Sequence, residues 1–267
     1  MNVFKFLGVS LVSVLAVGCG GGSGSLSQAD SAANLQKQIQ ADLGAGRYQE
    51  ALAGIDSFQR AFPLQVEIRR ELLKTRAQAV EGLALQRLPQ LTAEIARLSM
   101  VADSLQGFMV SVRPSQALLP YLVYKEAKSL SSPGIQARVN TGDDAEYIPW
   151  TLAVDAGRNI GVSGVSVKVS DGAVFDIPVK SADGQMGTAS PEAASALGAA
   201  LQSGQQAVSA SVNGSKGKVS VKVSPAVSRG ILLAYEFASA RTQLRQNRVD
   251  AEKTDRLLQL SRDQAAQ

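Results

Sequence analysis

The chain has 267 residues, 27 lysines and arginines against 23 aspartates and glutamates, a formal net charge of +4, one cysteine and no histidine. The missing histidine excludes Ser-His-Asp and Cys-His catalytic sites and histidine-ligated metals, and one cysteine cannot build a thiolate zinc site. Aromatic residues make up only 5% and no basic run occurs, so the stacking aromatics and basic stripe of a nucleic-acid surface are missing.

The first 18 residues have the pattern of a secretory signal peptide. Lys5 supplies the positive charge, and residues 6–17 form an apolar run that is too short for a membrane span of roughly 20 residues. Ala16 and Gly18 before Cys19 resemble the lipobox of bacterial lipoproteins. The resemblance implies cleavage before Cys19 and lipidation of that cysteine, which anchors the protein stably on a membrane. An ordinary signal peptide with an unused thiol is the alternative.

Residues 19–28 are predicted to form a flexible tether behind the lipid. The run GGGSGS at 20–25 has no side chains that pack, and about ten such residues have a root-mean-square reach of roughly 17 Å. In lipoproteins of bacteria with two membranes, the lack of an aspartate after the cysteine favours the outer membrane over the inner one. The sequence therefore predicts a lipid-anchored protein of the cell envelope, with the outer membrane favoured.

Residues 29–112 are predicted to be helical and to contain one helical hairpin. The stretch GRYQEALAGIDSFQRAFP, Gly46–Pro63, resembles the turn and second helix of a tetratricopeptide repeat. Only one copy is present, whereas repeat arrays need three or more units, so we expect a hairpin used for packing and not a peptide-binding solenoid. The first helix is expected over 29–44. The residues expected to carry the hairpin are Leu35, Ile39, Leu43, Gly46, Tyr48, Ala51, Ile55, Phe58 and Pro63.

A long helix is predicted after the hairpin. An apolar pattern continues from Val66 to Leu88, and apolar residues recur at a spacing of three or four from Leu91 to Met109, which is typical of a helix packed on other helices. Pro89 lies between the two sets and is expected to kink or break the helix.

Residues 118–224 are predicted to form a β-rich domain. Valines alternate with polar residues, which indicates half-buried strands, and the hexapeptide VSVKVS occurs at both 165–170 and 219–224. We interpret this recurrence as a common solution for a strand and not as a duplicated module. NGSKG at 213–217 predicts a hairpin turn, and 190–204 predicts a short helix capped by Ser190. Further strands are expected at 121–126, 135–140, 147–154, 174–179 and 208–212.

Residues 226–261 are predicted to form a long C-terminal helix. Its apolar face is strong up to Leu244 and weak afterwards, so the first half should pack back on the N-terminal helices while the second half projects into solvent or frays. The predicted class is α+β: an N-terminal helical hairpin and long helix, a small, mainly antiparallel β domain with one short helix, and this C-terminal helix.

The order of these parts resembles that of uncharacterised Bacteroidetes lipoproteins. The matching segments are Gly46–Pro63, Tyr121–Val123 and Glu236–Ala238. This resemblance implies no activity, substrate or active-site residue.

Two features are candidates for a ligand site. Asp143, Asp144 and Glu146 crowd into one turn, where paired carboxylates could perform glycoside hydrolysis, although a solvated acidic turn is the favoured interpretation. Tyr147 and Trp150 offer rings that could stack on a sugar or peptide, although a core role is favoured for the single tryptophan. No metal site, cofactor or catalytic residue is predicted.

The sequence thus predicts a non-enzymatic interaction or scaffold module of the envelope. Its partners would be the membrane, through the lipid on Cys19, and a protein of the envelope, but not nucleic acid. The alternatives are a module that binds a glycan or peptidoglycan fragment through Tyr147, Trp150, Asp143 and Asp144, and, least favoured, a carboxylate-based hydrolase.

Overall fold

The computed structural model describes residues 28–113, 120–141 and 150–266. Over these ranges the chain forms five α-helices and two antiparallel sheets, so the predicted α+β class is confirmed. The chain divides into two compact units between Ala79 and Val80. This division falls inside the predicted helical segment 29–112.

The first unit contains the predicted helical hairpin. It is built from α1 (Gln28–Gly44), α2 (Tyr48–Ala61) and the beginning of α3 (Val66–Gln106). Of the residues that the sequence pattern marks on the hairpin, Ile39, Ala51, Ile55 and Phe58 are buried, whereas Leu35, Leu43 and Tyr48 are half-buried and Pro63 is exposed. The Phe62 ring packs 5.1 Å from that of Phe58. The fully buried members of this core are Ala32, Ile39, Ile55, Phe58 and Leu72.

Polar side-chain contacts join the beginning of α3 to the two helices of the hairpin. The Gln40 side-chain amide donates to the Thr75 hydroxyl at 2.9 Å, and the Arg76 guanidinium lies 2.9 Å from the Asp56 carboxylate. Leu72 belongs to the same core as the residues of α1 and α2. The hairpin is therefore the first part of a three-helix arrangement.

Helix α3 runs unbroken through Pro89, so the predicted break is wrong. Pro89 removes the backbone donor that would pair with the carbonyl of Leu85. Both residues are exposed, so water can bond to that carbonyl at little cost. The helix ends at Gln106, earlier than predicted, because Met109–Val112 pairs as a strand with Tyr121–Tyr124.

The second unit holds both sheets. The first has the order β1-β2-β3-β4-β8-β7 and the second the order β10-β9-β5-β6, with all neighbours antiparallel. All predicted strands are present, and β1, β7 and β8 are additional. The strands are β1 (Met109–Val112), β2 (Tyr121–Tyr124), β3 (Gly134–Asn140), β4 (Trp150–Asp155), β5 (Val162–Val169), β6 (Val174–Pro178), β7 (Lys180–Ser181), β8 (Met186–Ala189), β9 (Ala207–Gly214) and β10 (Gly217–Lys222).

Both sheets share one core with the end of α3, through Ala102, and with two further helices, α4 (Pro191–Gln202) and α5 (Pro225–Ala266). The predicted cap of α4 is present, since the Ser190 hydroxyl accepts from the backbone N–H of Ala193 at 3.4 Å. The predicted hairpin turn is present too, and Gly217 there has a φ of 137°, which favours glycine. Both local signals in the sequence therefore gave the right elements.

Helix α5 carries buried residues in its second half as well as in its first. Thr254, Leu258 and Ser261 are buried in the half predicted to project or fray, so that prediction is wrong. Ion pairs join this half to α3, between Arg87 and Asp250 at 3.9 Å and between Arg262 and Glu81 at 3.0 Å. The charged sequence after Leu244 therefore supplies side chains that bridge to α3.

Within the described ranges, no helix is both long enough and apolar enough to cross a lipid bilayer.

Candidate functional site

Four of the residues predicted for lipidation or ligand binding lie outside the described residues. They are Cys19, Asp143, Asp144 and Tyr147. Glu146 of the acidic turn lies outside as well. Their roles stay predictions.

Trp150 is the one predicted ligand residue that the structure places. It opens β4, is only 3% exposed, and meets Tyr235 of α5 edge to face, with ring centroids 6.2 Å apart and planes at 78°. This edge-to-face geometry is favourable for aromatic pairs in a core. The core role expected for Trp150 is confirmed, and its ring offers no accessible face for stacking.

No group of three or more acidic or thiol side chains within the described ranges could hold a metal ion. A binding surface has to be sought elsewhere.

The outward face of the second sheet carries a regular array of polar side chains. We call it the serine–lysine face, and each of its residues is at least partly exposed. The opposite side of the same strands carries the buried valines of the core, such as Val165 and Val167. The face consists of Ser166 and Lys168 on β5, Asp176 on β6, Ser209, Ser211 and Asn213 on β9, and Lys218, Ser220 and Lys222 on β10.

Strand register arranges these side chains in rows that cross the sheet. One row is Ser220–Ser211–Ser166–Asp176, over all four strands. The next row is Lys222–Ser209–Lys168, which ends at the exposed Val174. A third row, on the other side of the serine row, contains Lys218 of β10 opposite Asn213 of β9.

The two copies of VSVKVS produce this regularity. They lie on β5 and β10, with β9 between them, and both are paired with β9 in matching register. Val165 and Val219 both face Val212, so that serine lines up with serine and lysine with lysine in the copies. Because neighbouring strands are about 4.8 Å apart, equivalent residues of the two copies lie about 10 Å apart.

A chain of hydrogen bonds fixes the centre of the face. The Ser211 hydroxyl donates to the Asn213 side-chain oxygen at 3.4 Å, and the Asn213 side-chain amide donates to the Ser166 hydroxyl at 2.8 Å. The Ser166 hydroxyl in turn donates to the Asp176 carboxylate. These bonds link β9, β5 and β6, so the central polar groups are held in place before any ligand arrives.

The lysines of the face have no such partners. In the part of the chain that the structure describes, Lys168, Lys218 and Lys222 form no ion pair. Lys168 and Lys222, together with serines of β9 and β10, border a shallow depression of about 600 Å³. Since Asp176 is the only acidic residue in the rows, the face has an excess of positive charge.

A second polar cluster lies where β1, β2 and α5 meet. The Phe108 ring lies 5.5 Å from the Lys125 ammonium and 6.0 Å from the Arg229 guanidinium, within the range of cation–π attraction. The Glu126 carboxylate raises the pKa of the Tyr124 phenol, mainly through hydrogen bonding, while burial acts in the same direction. This cluster joins α5 to the edge of the first sheet, and both of its cations lie against the Phe108 ring.

Comparison with known proteins gives no guide to this face. No protein-family model, no curated protein and no solved structure matches the chain.

Sequence reasoning missed the serine–lysine face although its signal was present. The alternation in VSVKVS was used to predict strands from the valines. The polar positions of the same hexapeptide, Ser-x-Lys in each copy, were not interpreted. Their meaning depends on the register of β5, β9 and β10, which the sequence alone does not supply.

Proposed function

We propose that this protein is a non-enzymatic, lipid-anchored component of the cell envelope, and that it binds another envelope component through the serine–lysine face. The observation that carries the proposal is the in-register array of lysines without ion-pair partners around a prearranged hydrogen-bonded centre. The lack of histidine, together with a single cysteine, supports a role without catalysis.

A solvated sheet face with no function also alternates polar and apolar residues. Two features of the serine–lysine face are not explained by solvation of the sheet alone. A solubilising surface does not need serine and lysine to coincide in matching rows on two strands separated by a third. Lysines on an edge strand such as β10 also prevent edge-to-edge pairing, but Lys168 lies on β5, in the interior of the sheet.

The lipid anchor rests on the lipobox resemblance at Cys19 and on the glycine- and serine-rich segment after it. Metabolic labelling with an acyl analogue tests it directly. We expect label in the wild-type protein, none in Cys19→Ser, and release of that variant from washed membranes. Equal labelling of Cys19→Ser would contradict the anchor.

Binding through the face is tested by photo-crosslinking in intact cells. A photo-reactive amino acid replaces Ser220 on the face or, as a matched control, Lys253, which is exposed on α5. We expect a light-dependent adduct from position 220 and not from position 253. Adducts of equal yield from both positions, or from neither, would contradict the proposal.

A further inference from the structure

We infer that the ligand of the serine–lysine face is a linear acidic polysaccharide that carries a carboxylate on alternate sugar rings. The inference rests on the proposed function of this face as a binding surface and names the chemical class of what it binds.

Charge is the first support for this ligand. Lys168, Lys218 and Lys222 stand on one face without ion-pair partners among the described residues. The single carboxylate of the face, that of Asp176, already accepts a hydrogen bond from Ser166. The face therefore complements a ligand with several negative charges.

Spacing is the second support. Lys168 and Lys222 occupy equivalent positions in the two hexapeptides, with Ser209 between them, so their Cα atoms lie about 10 Å apart across two strand spacings. Lys218 and Lys222 are four residues apart on β10, which is about 13 Å along the strand. Cations about 10–13 Å apart suit a ligand whose anionic groups are separated by a comparable distance, as in a polymer of alternating acidic and neutral sugars.

The hydroxyl and amide groups between the lysines are the third support. Among the described residues, the Ser209 and Ser220 hydroxyls have no hydrogen-bond partner, so they are free to bond to sugar hydroxyls. Only Val174, at one corner of the face, presents an exposed apolar side chain to the depression.

The alternatives fit less well. An acidic peptide that docks as an added strand needs a free strand edge and pockets for its side chains. Binding to an anionic lipid surface draws strength from apolar side chains that enter the bilayer interface. The middle of this face offers neither, and it lies on the surface of the sheet and not on its edge.

The test measures binding of the full chain, kept in a neutral detergent, to a hyaluronan octasaccharide, which has one carboxylate per disaccharide. The face variant carries Lys168→Gln, Lys218→Gln and Lys222→Gln. The matched control carries Lys37→Gln, Lys74→Gln and Lys253→Gln, which remove the same charge from exposed helical positions. Circular dichroism verifies that both variants are folded. The comparison ligands are the carboxyl-reduced octasaccharide and a polyglutamate of equal charge.

We expect the wild type to bind the octasaccharide with an affinity that falls as salt is raised. The face variant should bind about tenfold more weakly at low salt, because each exposed ion pair contributes a factor of a few. The control variant should bind like the wild type, and both should bind the carboxyl-reduced octasaccharide far more weakly than the unmodified one, whereas the face variant should distinguish the two ligands much less.

Three outcomes would overturn the inference. One is no binding of the octasaccharide by the wild type; another is an equal loss in both triple variants, which would reflect net charge alone. The third is tighter binding of polyglutamate than of the octasaccharide. Any of these, combined with a crosslinked adduct from position 220, would leave the proposed function intact while rejecting the polysaccharide, so the two failures are distinguishable.

Discussion

Gly198 lies where α4 packs against Tyr235 of α5, and its replacement by alanine should destabilise the second unit. A Cβ at this position would lie 2.3 Å from Cδ2 and 2.5 Å from Cγ of Tyr235. These atoms belong to the part of the ring near the backbone, so a small rotation cannot move them away. The ring also packs on Trp150, which restricts its movement further.

Two effects of opposite sign determine the size of the change. Alanine is favoured over glycine inside a helix by about 1 kcal/mol. Overpacking of a well-filled core costs typically 1–3 kcal/mol, and about 3 kcal/mol is appropriate where three ring atoms lie within contact distance. We therefore expect Gly198→Ala to lower the free energy of unfolding by about 2 kcal/mol.

Urea unfolding followed by fluorescence measures this effect directly, since Trp150 is the only tryptophan and contacts the displaced ring. Gly230→Ala is the matched control, because its Cβ would meet Tyr124 Cβ at 3.3 Å, a much milder contact than that at Gly198. This mild crowding opposes the helix preference of alanine, so we expect the free energy of unfolding to change by no more than about 0.5 kcal/mol. In a Tyr235→Ala background, Gly198→Ala should become neutral or stabilising. A stabilised Gly198→Ala single variant would refute the close packing of α4 on α5.

The remaining predictions concern buried contacts and are read by thermal or urea unfolding. Leu258→Ala should lower the free energy of unfolding by about 2–4 kcal/mol, because Leu258 is only 6% exposed. Its neighbour Leu257 is 51% exposed, so Leu257→Ala should be nearly neutral; equal effects of the two substitutions would mean that the end of α5 is not docked. Phe58→Ala should cost about 3–5 kcal/mol, measured from helical circular dichroism, since Phe58 is fully buried; a cost below 1 kcal/mol would contradict the core of the first unit. Ser228→Ala should cost about 1–3 kcal/mol because it leaves the buried N–H of Ala207 without its acceptor at 2.8 Å; an unchanged unfolding midpoint would rule that bond out.

The elements with local signals were predictable from the sequence. Helix α4 carries its own cap at Ser190, and the hairpin between β9 and β10 carries a turn with Gly217. The hairpin of the first unit follows from the apolar spacing around Ile55 and Phe58. In each case the information lies within a few residues of the element that it forms.

The errors arise where distant residues decide the structure. Met109 continues the helical pattern of α3, yet it pairs with Tyr124 in a sheet. The charged end of α5 gives no apolar stripe, yet Arg262 reaches Glu81 on α3. Such partners are far away in the chain, and a local pattern contains no information about them.

The candidate site shows the same division. The strands of the serine–lysine face were predicted from their valines, while the face itself required the register that aligns Lys168 with Lys222 across β9. Of the ligand residues suggested singly by the sequence, Trp150 lies in the core, and Tyr147, Asp143 and Asp144 lie outside the described residues.

Lysine footprinting tests the central claim most directly and needs no variant. An amine-reactive reagent is applied to intact envelopes and to the detergent-purified protein, and mass spectrometry gives the modification rate of each lysine. We predict that Lys168, Lys218 and Lys222 react several-fold more slowly in envelopes than in the purified protein, while Lys74 and Lys253 react equally in both. Equal rates for the lysines of the face in the two preparations would contradict the claim that this face is occupied by a component of the envelope.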